Sequence, residues 1–304
     1  MGAETWQKAV AFGDVEAVRA LVRMGSGELN MAGGEEGLLA GQFAYALPEW
    51  QPEVAYEIED GVGQLVVQPP QDRRAGLPDP EYVWDLKLGS AVPVDLEIQL
   101  GSGRAALGLT GSRLSRLEAK VGSGQVNADL SGDQRDLEQV GLASGSGRLG
   151  LILSGTYPAL RTAELRNASG VTDLTLGGQY DSLTRVRLTS ASGNINVGVA
   201  GQFPSLERLE AKVASGVIDL NLLEATWEML DVSLDCVSGK AIVRYPASVG
   251  VFVRFSSVTG HLEAPRLLDA AGGYVTPNHD EAASKINLSM STVSGKLVLQ
   301  PSET

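Results

Sequence analysis

A single cysteine among 304 residues excludes an internal disulfide framework, and two histidines exclude a histidine-rich metal centre. Aromatic side chains make up only 5% of the chain, against 37 glycines, which disfavours a helical bundle. No stretch approaches the ~20 consecutive apolar residues that a membrane-spanning helix needs. Residues Met1 to Lys8 do not have the basic-then-apolar order of a secretory leader. Basic charge is scarce as well: 24 Lys and Arg stand against 37 Asp and Glu, a formal charge of −13. Such a field repels phosphate backbones, so nucleic acid is excluded as a partner class. With 43% hydrophobic residues the chain can bury a sizeable core. Abundant glycine with few aromatics suits many short strands joined by tight turns.

A repeat organises those strands. Small-residue doublets, mostly Ser-Gly, recur with glycines at 103, 124, 147, 170, 193, 216, 239 and 260, and five consecutive steps are 23 residues long. Gly295 follows after an insertion, and Gly27 and Gly63 carry the same flanking pattern upstream with irregular spacing. After the anchor glycines, positions +2, +4 and +6 are mostly apolar, as in Leu149, Leu151, Leu153 and in Ile218, Leu220, Leu222. That period of two marks a strand with one buried face. Before the anchor, positions −7 and −5 are apolar in the same way (Val186, Leu188; Leu209, Ala211), which predicts a second strand. Glycine recurs at +8 in Gly111, Gly132, Gly155, Gly178 and Gly201, where a turn or a close approach between coils is expected.

Two strands and two turns in 23 residues form one coil, and one coil cannot bury its apolar face alone. The expected fold is therefore all-β: a parallel β-solenoid of about ten coils, ~4.8 Å apart, with less regular capping segments at both ends. Residues 1–80 read as an irregular capping module and 81–304 as the repeat domain. Stacking predicts ladders of equivalent side chains. These are a serine column (Ser102 through Ser238), an aromatic stack at Tyr157, Tyr180 and Phe203, and alternating charges at Glu164, Arg187 and Glu210. A leucine-rich repeat is the competing reading. It lacks the expected turn asparagine, and the segment between +8 and −10 is too short for a helix.

At the ends the rhythm loosens. Val18 to Gly33 reads as a rung around Gly27 and Tyr56 to Val67 as another around Gly63, with Phe43 to Pro52 a lateral excursion between them. Pro69, Pro70, Pro78 and Pro80 mark a connector over 68–80. Residues 5–20 are expected to cap the first coil, as a short helix or an edge strand. Arg266 to Ser284 interrupts the repeat near the other end. Residues 96–262 are expected to stack continuously in chain order.

The segment 22–34 (VRMGSGELNMAGG), then 38–45 (LLAGQFAY), 84–88 (WDLKL), 92–98 (VPVDLEI) and 100–103 (LGSG) resembles the N-terminal module of toast-rack proteins. The Ser-Gly coils beyond resemble the repeats of bacterial adhesin-type proteins and the C-terminal domain of cell-wall-active antibiotic response proteins. The resemblance implies an extracytoplasmic, envelope-associated protein. It implies no catalytic residues and no cofactor.

The residues themselves point to no reaction. Position +3 gives a polar column of Asn127, Asp173, Asn196 and Asp219 on the outward phase of the strand. Asp173 and Asp219 would lie two coils apart, at the upper edge of the ~6.5–9.5 Å used by inverting glycosidases. A solvated face accounts for the column more simply. A calcium-binding Asn/Asp column would need the acidic nonapeptide repeat, which is absent. Cys236 takes an inward phase shared with Val121 and Val213. His261 and His279 have no serine and acid at triad spacing, and neither form of phosphate-binding glycine loop occurs. Mixed charge around Arg185, Arg187, Glu207, Arg208, Glu210 and Lys212 reads as a solvated face. The expectation is a non-enzymatic envelope protein whose rigid face binds a protein or a cell-wall glycan, or which self-associates through solenoid edges. The alternative is a polysaccharide-active β-helix enzyme.

Overall fold

A computed structural model describes residues 4–70 and 81–302. The connector expected over 68–80 therefore falls largely outside the described residues. The chain divides into two compact units, Met1–Leu153 and Ser154–Thr304. Both are parallel β-solenoids, and no α-helix occurs among the described residues. Among the described residues, no helix is long and apolar enough to cross a membrane.

In the first unit, β1 (Glu4–Val10), β2 (Ala17–Glu35), β3 (Leu39–Tyr45), β4 (Glu53–Glu59), β5 (Val62–Gln68) and β6 (Glu81–Gly89) build the outer end. β7 (Val94–Gly108), β8 (Leu114–Asp129), β9 (Gly132–Asp133) and β10 (Gln139–Thr156) follow. β2, β7, β8 and β10 pair in parallel, with Ser26, Ser102, Ser123 and Ser146 in one register and Gly27, Gly103, Gly124 and Gly147 in the next.

Each rung is one long strand, not the two strands read from the sequence. Register is kept on both sides of the Ser-Gly corner, and only the residue before the serine, as at Ala168 and Ala191, is left out of the ladder. Gly124 has φ +129°, and a Cβ there would lie 1.9 Å from the carbonyl oxygen of Gly103. Only glycine satisfies both the dihedral and the distance. The +8 glycines split into two kinds. Gly178 and Gly201 have positive φ, and a Cβ on either would strike the backbone of the preceding +8 glycine. Gly111 serves a turn with open space beside it.

The rung beyond β2 departs from the repeat. β5 pairs with Ala17–Val22 and β6 with Ser26–Glu35, so two separate segments replace one cornered strand. Gly63 pairs with Val18 and is not a corner glycine. The motif around Gly63 instead belongs to the antiparallel hairpin of β4 and β5, whose turn holds Asp60 and Gly61 at positive φ. On the other side of the corner, β6 pairs antiparallel with β3, and β3 with β1. The cap at residues 5–20 thus contains an edge strand. Phe43 is no lateral excursion: it is fully buried, 5.5 Å from Trp84 and 5.2 Å from Trp6 between ring centroids.

In the second unit, β11 (Thr162–Gln179), β12 (Arg185–Gln202), β13 (Arg208–Thr226) and β14 (Met229–Tyr245) stack in parallel, with Ser169, Ser192, Ser215 and Ser238 in register. Then come β15 (Gly250–Ser257), β16 (His261–Glu263), β17 (Leu268–Ala270), β18 (Gly273–Val275), β19 (Lys285–Thr292) and β20 (Lys296–Pro301). Here the expected chain-order stack through residue 262 fails. β14 pairs with β19 and β20, and these in turn pair with β15 and β16 on their far side. The final segment of the chain is inserted between two rungs that precede it. An apolar period of two in β19 suits a position between two neighbours as well as one at an end, so the pattern alone did not fix the order.

Inward positions are buried throughout. Leu220 is fully buried, in register with Val197 on one side and Val243 on the other. Tyr157, Tyr180 and Phe203 stack with centroids 4.8 and 4.7 Å apart and planes within 15°, the geometry that a coil spacing of ~4.8 Å imposes.

Candidate functional site

Strand pleating sends every second side chain outward, and parallel register aligns these into rows. In the second unit, Asp173, Asn196 and Asp219 are successive neighbours in one row. Asn196 Nδ2 donates to Asp173 Oδ1 at 2.8 Å. Asp219 pairs with Arg244, two positions further along the next strand. Asn196 therefore stands between the two carboxylates, and each carboxylate already has a partner. Asn127 occupies the corresponding row of the first unit, between Ala106 and Gly150.

That first-unit row continues where the repeat stops. From Ala106 it passes to Asn30, Asp85, Gln42 and Gln7 in register across β2, β6, β3 and β1. Asn30 Nδ2 donates to Asp85 Oδ1 at 2.9 Å. The neighbouring row holds Ala32, Lys87, Ala40 and Ala9. Short side chains beside longer amides and lysines leave a groove of about 680 Å³ over this part of the sheet, lined also by Lys8 and Glu35. Asn30 was findable from the sequence, being at +3 from Gly27. Gln7, Gln42 and Asp85 were not, because antiparallel strands outside the repeat deliver them to the row.

The strand face before the corner is charged with alternating sign. Arg187 Nε lies 2.8 Å from Glu210 Oε2, and Lys212 Nζ lies 2.7 Å from Asp235 Oδ2. In the first unit Asp95 is in register with Arg19 and Arg116. Its carboxyl is nonetheless pushed above the usual range, chiefly by burial, with the two guanidinium groups opposing. Cys236 is fully buried in register with Val213, and burial pushes its thiol up, away from nucleophilic reactivity. His279 Nδ1 lies 3.2 Å from the exposed Asp280 carboxylate. Among the described residues, no three His, Cys, Asp or Glu side chains come together to hold a metal ion.

Residues 3–152 match the family described as the N-terminal domain of toast_rack. No curated protein matches the chain. Among solved structures, a protein of Parabacteroides distasonis named a "putative adhesin" is 12% identical, with 97% of each chain covered and a TM-score of 0.41. A "putative adhesin" of Bacteroides fragilis is 13% identical, covering 97% of this chain and 96% of that one, with a TM-score of 0.39. A "putative cell adhesion protein" of Clostridium sporogenes is 16% identical over 99% and 100% of the two chains, with a TM-score of 0.31.

Proposed function

Because residues 3–152 belong to the toast-rack N-terminal domain family, we propose that the chain is a non-enzymatic, adhesin-like protein of the cell envelope that binds through its outward rows. The observation that carries this reading is the paired state of the polar groups. Asp85 is held by Asn30, Asp173 by Asn196 and Asp219 by Arg244. A general acid and base pair needs two carboxyl groups facing one reacting bond, with environments that separate their proton affinities. Side chains fixed side by side on hydrogen-bonded strands instead form a preorganised recognition surface, which loses little entropy on binding. The groove over Asn30, Asp85, Gln42 and Gln7 supplies amides and a carboxylate suited to the hydroxyl and amide groups of a wall glycan or a peptide.

Co-sedimentation with purified peptidoglycan sacculi tests the reading. Binding is expected, and Asp85→Ala should weaken it about two- to tenfold, the worth of one or two hydrogen bonds. Release of reducing ends from wall polysaccharide that is abolished by Asp173→Ala or Asp219→Ala would overturn it in favour of a polysaccharide-active enzyme.

A further inference from the structure

The insertion of β19 between β14 and β15 assembles a second groove on the charged face of the second unit. Two rows cross the four strands there. One runs Arg208, Asp231, Asn287, Phe252 and the other Glu210, Ser233, Ser289, Arg254. Both rows have long side chains at the ends and shorter ones between, and they enclose about 440 Å³. The floor carries hydroxyls from Ser233 and Ser289 beside a fixed amide–carboxylate pair, with Asn287 Nδ2 donating to Asp231 Oδ1 at 2.9 Å.

The walls differ in charge state. Glu210, its side chain only 10% exposed, is held by Arg187 at 2.8 Å and lies 3.8 Å from Arg208, so its charge is already compensated. Arg254 is exposed and lies over the Phe252 ring, its guanidinium carbon 5.0 Å from the centroid. It has no ion pair among the described residues. In a chain with 37 acidic and 24 basic side chains, a guanidinium free of carboxylates and steadied by an aromatic ring is available to an external anion. Asp231 remains an acceptor, which requires that the rest of the ligand bring donors.

We infer that this groove binds a saccharide that carries a carboxylate. The carboxylate pairs with Arg254, and Phe252 forms the apolar wall. Ring hydroxyls donate to Asp231 and to Ser289 Oγ, whose own proton goes to the Val232 carbonyl, and accept from Asn287 and Ser233. This groove shares no residue with that of the first unit, so either can fail without the other.

Calorimetric titration of the whole chain with N-acetylmuramic acid, glucuronic acid and N-acetylglucosamine tests the inference. The first and third share a sugar ring and differ by the lactyl carboxylate. At least one acid is expected to bind about tenfold or more tightly than N-acetylglucosamine, with affinity falling as salt is raised. The tighter acid identifies a wall-type or a uronic-acid source. Arg254→Gln should reduce the acids to the affinity of the neutral sugar, and Ser233→Phe, which fills the floor, should remove binding of all three. Unfolding midpoints report that both variants are folded. Equal affinity for acid and neutral sugar, no binding of any of them, or retained acid binding in both variants would overturn the inference.

Discussion

Neighbouring residues on one strand have opposite fates in this protein, and Leu220 and Asp219 show it best. Leu220 is fully buried between Val197 and Val243, in rungs whose spacing is locked by backbone ladders, so a cavity there cannot collapse. Leu220→Ala is expected to cost ~2–5 kcal/mol. Asp219 points outward and makes an ion pair with Arg244 while both side chains keep about a third of their exposure. Asp219→Ala should therefore cost about 1 kcal/mol or less. Chemical denaturation of both variants reads the contrast. A larger effect at Asp219 would mean that the faces are exchanged by a one-residue slip, and equal effects would contradict the assigned phase.

At the scale of the element, the corner rather than the strand is the sensitive part. Gly193 has φ +131°, and a Cβ would fall 1.9 Å from the Gly170 carbonyl oxygen. Gly193→Ala should thus lose at least ~1–3 kcal/mol from backbone strain alone. Gly198 lies in the same strand, but its added Cβ would meet nothing within 4 Å. Gly198→Ala is expected to be neutral or to gain ~0.4–1 kcal/mol by restricting the unfolded chain. Thermal unfolding of the pair separates a requirement for glycine at corners from mere glycine richness, and equal losses would contradict it. The corner also explains why each rung is one strand: register is the same before and after it, and Ala191 alone is left out of the ladder with β11 between Arg185 and Gln202.

At the scale of the molecule, each unit places a rung out of chain order next to its outer rung. In the first, β2 lies between β7 and the β5/β6 rung; in the second, β19 and β20 lie between β14 and the β15/β16 rung. An outermost parallel rung would fray and would also template another chain. Here antiparallel strands occupy outer positions, β4 and β1 in the first unit and β18 and β17 in the second, while the three-residue β16 is a short parallel edge. β4 also carries Glu53, Glu57 and Glu59, charges that oppose edge pairing. Native-state hydrogen exchange should accordingly show β19 amides protected to a degree comparable with β13, despite their place near the end of the chain. Exchange in β19 faster than in β15 would contradict the inserted order.

The sequence by itself determined the coil. Glycine spacing, the +2, +4, +6 apolar phase and the aromatic and charge ladders all follow from one repeat, because each rung meets a near copy of itself and equivalent residues must be compatible with one another. The positions of Asp173, Asn196 and Asp219 on one outward row were legible for the same reason. Only the tertiary structure decided the order of rungs at the ends and the composition of the two grooves. Period-two patterns state which face is buried but not which strand lies alongside. Antiparallel strands such as β1 and β3 carry no repeat signature. Gln7, Gln42 and Asp85 in one groove, and Asn287 and Arg254 in the other, come together through pairings between segments distant in the chain. Such pairings are set by long-range packing, which a local pattern does not record.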